Sequence, residues 1–104
     1  MQLNLTGRHF EITPQLRRHV EDKLHKLEKL NSRIAETEIV VFKDRYNDVA
    51  EGKIHLSHTV LAAKAEAGDM QTAVSELVDR LIVQLKRYEG RLRNRKRHTQ
   101  PRGE

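Results

Sequence analysis

With 104 residues and no cysteine, the chain has room for one domain with a modest core, and a disulfide framework or thiolate metal ligation is excluded. No apolar run approaches the roughly 20 residues that span a bilayer, and the opening MQLNLTGRHF has no signal-peptide core, so a soluble, cytoplasmic protein with no membrane partner is expected. The +5 net charge is unevenly placed: residues 1–85 hold 12 Lys/Arg against 13 Asp/Glu, whereas residues 86–102 hold 8 against Glu89 alone. A neutral body with a basic end concentrates its field where phosphates can be neutralised, which points to a polyanion partner.

In chain order, Leu3 and Leu5 alternate with Gln2, Asn4 and Thr6 as in a half-buried strand closed by Gly7. A helix follows, with Thr13 as N-cap, Pro14 at the first position, and Leu16, Val20, Leu24 and Leu27 on one apolar face. Asn31-Ser32 interrupts that pattern, so the helix ends near Leu30. Three strands are predicted next, over 36–43, about 52–57 and about 59–67, with residues 44–48 as the loop between the first two. In the third, Leu61, Ala63, Ala65 and Ala67 share one face, small enough for a helix to lie close above. Lys53, His55, Ser57, Lys64 and Glu66 point to the other, wet face. Asp69 caps a last helix whose stripe is Met70, Val74, Leu77, Leu81, Leu85, Tyr88 and Leu92. Gly90 weakens that helix by about 1 kcal/mol relative to Ala. The expectation is an α+β domain over residues 1–93, ordered β-α-β-β-β-α. Its four-stranded sheet carries both helices on one face, similar to double-stranded-RNA-binding folds. A basic tail over 94–104 is expected to be disordered when free.

The charges are sorted on both helices. At 100° per residue, His19, Lys23 and Lys26 flank one side of the first stripe, with Arg33 just past the helix end, while Glu21 and Glu28 flank the other. On the last helix Arg80, Arg87 and Arg91 fall within about 40° of one another, with Gln84 among them. Arginine suits phosphate because its planar guanidinium takes two oxygens at once. Two such rows, on helices side by side, predict one continuous positive surface for RNA. Few aromatics are present (Phe10, Phe42, Tyr46 and Tyr88), so contact through backbone and shape is expected rather than base stacking.

No catalytic or metal signature accompanies these rows. His55 and His58 are expected to point to opposite faces of a strand, with no Cys, Asp or Glu at ligand spacing beside them. Asp44 and Asp48 resemble half of a calcium loop that lacks its glycine and terminal glutamate. A phosphate-binding glycine loop and a G-x-S-x-G motif are absent. The expectation is a non-enzyme with no cofactor and no metal.

MQLNLTGRHFEIT with Leu16 and Arg17, KLHKLEKL (23–30), Arg33 with Ile34, and AEAGDMQTAVSELVDRLIVQL (65–85) resemble the bacterial ribosome hibernation-promoting factor family. That family, also called ribosome-associated inhibitor or protein Y, is matched over about residues 1–93. The resemblance implies a domain that binds the small (30S) subunit and its 16S rRNA between head and body, overlapping the paths of mRNA and tRNA, so that translation stops and ribosomes are stored. It implies stationary-phase stress response, a free monomer, and a ribosome modulation factor as a further candidate partner. The family's basic helix positions correspond to Lys23, Lys26, Arg33, Arg80, Arg87 and Arg91, with Lys29 and Lys86 further round their helices. The basic segment adds Arg93, Arg95, Lys96 and Arg97. The chain looks like a short form, without the dimerisation domain of long members. Two alternatives compete: a double-stranded-RNA-binding module of unrelated role, and a regulator whose basic tail grips an acidic protein.

Overall fold

The computed structural model describes residues 1–31 and 33–99, with side chains described through Arg91. Its elements are β1 (Gln2–Arg8), α1 (Pro14–Leu30), β2 (Glu36–Asp44), β3 (Asn47–His55), β4 (Val60–Ala67) and α2 (Met70–Thr99). The sheet order is β1-β2-β3-β4. β1 lies parallel to β2, with α1 as the crossover between them, and β2, β3 and β4 form an antiparallel meander. This is the β-α-β-β-β-α arrangement expected from the sequence.

Local chemistry sets the boundaries. Thr13 Oγ1 accepts from the Leu16 amide at 3.1 Å, which satisfies one of the donors orphaned at the start of α1, and Pro14 has no amide to orphan. The Asn31 amide closes the other end on the Leu27 carbonyl. Asp69 caps α2 by accepting from the amide and the hydroxyl of Thr72, both at 2.9 Å. These bonds hold the Asp69 carboxyl below its ordinary range, the Thr72 amide being the larger cause. α2 then runs through Gly90 without a break to Thr99, past residue 94.

The sequence-based boundaries of β3 were too late. The connection between β2 and β3 is not the loop 44–48 but two residues, Arg45 and Tyr46, since Asp44 already pairs with Asn47. Arg45 supplies the positive φ (58°) that such a short turn demands. β3 therefore starts at Asn47 instead of Gly52. Charge hid its first half: Asp48 sits on the helix side of the strand, where Lys43 Nζ neutralises its buried carboxylate at 2.9 Å as an ion pair. β1 likewise extends one residue past Gly7, and β4 begins at Val60.

One apolar layer lies between sheet and helices. Leu16, Val20, Leu24 and Leu27 of α1 meet Ile39, Val41, Ala50, Ile54, Leu61 and Ala65 of the sheet. α2 adds Met70, Val74, Leu77, Leu81 and Leu85 as predicted, and also Ala73 and Val78, while Tyr88 packs partly buried against the cluster. Leu92 lies outside the described side chains. α2 rests directly on the backbone of β3 at Gly52, where a Cβ would come within 3.1 Å of both Leu77 Cδ2 and Leu81 Cδ1. Among the described residues no helix is long and apolar enough to cross a membrane.

Candidate nucleic-acid interface

Two contacts fix how the helices lie against each other. Near their starts, His19 Nε2 reaches the Gln71 carbonyl at 3.0 Å and Ser75 Oγ at 3.1 Å. At the far end of α1, Asn31 Nδ2 donates to Glu89 Oε2 at 2.9 Å. Position along one helix rises with position along the other, so α1 and α2 run parallel. The end of α1 therefore lies beside the Glu89 turn of α2, which continues to Thr99; this level defines one pole of the domain, where the partial negative charge at the α1 end favours cations. Lys29 occupies the last turn of α1, with Lys26 one turn earlier and Arg33 just past the end. Lys86, Arg87 and Arg91 stand at the corresponding height of α2. All six are exposed, and Lys23, half-buried, lies behind them.

These cations are uncompensated. Among the described residues the ion pairs are Met1 amine–Glu28, Arg8–Glu51, His25–Glu28, Lys43–Asp48 and His55–Glu38, and none engages Lys23, Lys26, Lys29, Arg33, Arg80, Lys86, Arg87 or Arg91. Charge left without a partner on a rigid scaffold is available to an external anion at no cost of breaking an internal pair. Arg93, Arg95, Lys96 and Arg97 continue along the same helix, and their side chains lie outside those described.

The two rows do not merge along their length as the sequence suggested. His19 shows that the flank of α1 carrying Lys23 and Lys26 faces α2. The Arg80 row, however, faces away from α1, over the edge of the sheet: Arg80 Nη1 donates to the Lys64 carbonyl and Gln84 Nε2 to the Ala62 carbonyl. The width of α2 separates the rows, and its exposed back carries Glu76 and Asp79 in the first half. Only in the second half do cations bridge that back. Lys86, ranked low from the sequence, is about 20° from Ser75 on the helical wheel and so stands on the α1 side. A wheel gives a residue's angle from its own core, but not which neighbour occupies each flank.

Stacking aromatics are scarce. Tyr88 and Phe10 pack partly buried against the core, and the Arg8 guanidinium lies 4.3 Å over the Phe42 ring. Tyr46 is 92% exposed, but it sits in the β2–β3 turn. β2 begins where α1 ends, so that turn lies at the end of the sheet opposite the basic pole.

On the open face of the sheet, one inference from the sequence is corrected. Glu38 contacts His55 across the β2–β3 ladder, and Glu36 and Glu38 with His55 bring three potential ligand atoms within 4.8 Å of one another. Spacing within one strand could not reveal carboxylates donated by its neighbour. His58 lies in the β3–β4 connection rather than on a strand.

Comparison with known proteins agrees with this architecture. The family pattern described as Sigma 54 modulation protein / S30EA ribosomal protein matches residues 3–93. A ribosome hibernation promoting factor of Klebsiella oxytoca is 37% identical over 93 residues, covering 89% of this chain and 98% of the relative. One from Azotobacter vinelandii is 30% identical over 101 residues, covering 97% and 94%. Among solved structures, a ribosomal subunit interface protein from Coxiella burnetii superposes with a TM-score of 0.83 at 28% identity, over 86% of this chain and 99% of that one. The N-terminal domain of Thermus thermophilus Protein Y gives 0.78 at 30% identity, over 85% and 99%. With its fold, its parallel helices and nearly its whole described length accounted for, the chain belongs to the Sigma 54 modulation protein / S30EA ribosomal protein family, whose relatives here are named ribosome hibernation promoting factors.

Proposed function

We propose that the chain is a noncatalytic ribosome hibernation factor of the cytoplasm that seats its basic pole on the 16S rRNA of the small subunit, in the channel used by mRNA and tRNA. The observation that carries this reading is the convergence of Lys26, Lys29, Arg33, Lys86, Arg87 and Arg91 around the end of α1 and the turns of α2 that face it, with no internal carboxylate within 4.0 Å of any of them in the described ion pairs. Phosphates neutralised there release their counterions, which supplies affinity without base recognition. The relatives' names support a ribosomal target, and the likeness to a subunit interface protein supports a site at or near the joint between subunits. The tail from residue 94 adds cationic reach in this reading.

The test is inhibition of cell-free translation. Occupation of the channel demands inhibition that is stoichiometric with ribosomes, reversed at raised salt, and weakened when mRNA and initiator tRNA are bound first, because ligands sharing space compete. Continued rRNA cleavage at substoichiometric protein would replace this reading with an enzymatic one.

A further inference from the structure

β4 is an edge strand, and its outer rim meets the Arg80 row. Ala62 and Lys64 turn their carbonyls outward, away from β3, because Gln84 and Arg80 bond them from α2. In an extended strand a residue's N–H and C=O leave on the same side, so the amides of Ala62 and Lys64 also point outward, about 7 Å apart. Among the described residues no strand lies beyond β4 to receive those amides. The Lys64 side chain is exposed on the open face of the sheet, while Arg80 reaches the same rim from the helix side. Cations thus straddle the rim, and the groove between β4 and α2, about 470 Å³, also takes in Gln84, Arg87, Val83 and one acid, Asp79.

We propose that this rim is a second phosphate seat of the RNA interface, in which the outward amides of Ala62 and Lys64, the Lys64 ammonium, Arg80 and Arg87 together take the sugar-phosphate backbone. The seat rests on the ribosomal reading above and extends it from the helical pole to the edge of the sheet. The carbonyl bonds fix the orientation of Arg80: with one nitrogen held by Lys64, the rest of the guanidinium faces the groove already positioned, so little side-chain freedom is lost on binding. A rival role for Arg80 and Gln84 is to block the strand edge against pairing with another chain. That role requires no charge at Lys64.

The experiment measures equilibrium binding of the full chain to purified small subunits over a potassium chloride series, for wild type, Lys64→Ala and Lys53→Ala. Lys53 is exposed on the same sheet face, one strand inward, and its removal changes net charge equally. The expected result is that Lys64→Ala weakens binding and lowers the salt slope by about 0.7–0.9, one phosphate contact, while Lys53→Ala leaves the slope at the wild-type value. Identical slopes for the two variants would overturn the seat and leave the pole intact as a binding surface. Failure of the wild type to bind small subunits at any salt would instead overturn the ribosomal reading, and the seat with it.

Discussion

Removing Arg87 and Arg91 together gives the sharpest measure of the basic pole. Six cations (Lys26, Lys29, Arg33, Lys86, Arg87 and Arg91) converge at the pole, and each neutralised phosphate contributes a slope of roughly −0.7 to −0.9 in log affinity against log salt. Wild-type slope is then about −4 to −5, and affinity for small subunits falls about 100- to 400-fold between 0.1 and 0.3 M salt. Arg87→Ala/Arg91→Ala leaves about four contacts, a slope near −3, and a fall of about 20- to 50-fold over the same interval. Both residues are exposed and engaged in no ion pair of the described set, so helicity by circular dichroism should match wild type. Fluorescence anisotropy of labelled protein against purified subunits, at five or more salt concentrations, reads the slopes directly. A double variant with the wild-type slope would refute the claim that these arginines neutralise phosphate, whatever its affinity at one salt concentration.

Three further outcomes follow from the packing and the caps. Gly52→Val drives two extra methyls toward Leu77 and Leu81, already 3.1 Å from a bare Cβ, and should cost about 1–3 kcal/mol, seen as a Tm lower by several degrees; an unchanged Tm would mean α2 does not rest on β3 as described. Asp69 has its folded pKa lowered by Thr72, so its contribution is present above the unfolded value and lost as pH falls through the folded one. Asp69→Asn should therefore flatten the acid limb of stability below about pH 4, read by urea unfolding at pH 2.5, 4 and 6, and an unaltered limb would contradict the cap. His58→Ala, in the exposed β3–β4 connection, should leave subunit binding and its salt slope at wild-type values, and a large loss would extend the interface to that connection.

The helices were legible because their signals are local. Thr13-Pro14 and Asp69 with Thr72 are caps written within four residues, and the Leu16 to Leu27 and Met70 to Leu85 stripes repeat at the helical period. The turn at Arg45-Tyr46 was not legible, since neither residue is the glycine or asparagine that a positive φ favours. Asp48 obscured β3 because its burial depends on Lys43, a partner visible only after pairing. At the site, each basic row could be placed on its own helix but not relative to the other, because the parallel packing and the β4 contacts of Arg80 and Gln84 are tertiary facts. The same limit hid Lys64, which a period-two reading assigned simply to the wet face, and the pairing of Glu38 with His55.

The parallel pairing of β1 with β2 also bears on when the domain becomes competent. Gln2 must find Glu36, and Arg8 must find Phe42, across the whole of α1, and α1 lacks one of its two packing partners until α2 exists. A chain made from its N-terminus thus releases β1 and α1 before anything can hold them, while the meander of β2, β3 and β4 closes through short local turns that form early. The half-pole on α1 is consequently completed only when α2 docks and supplies the other half. A member of this family built in this order gains its paired basic surface only late in synthesis, so the ribosome that makes it is translating through the period in which the surface does not yet exist.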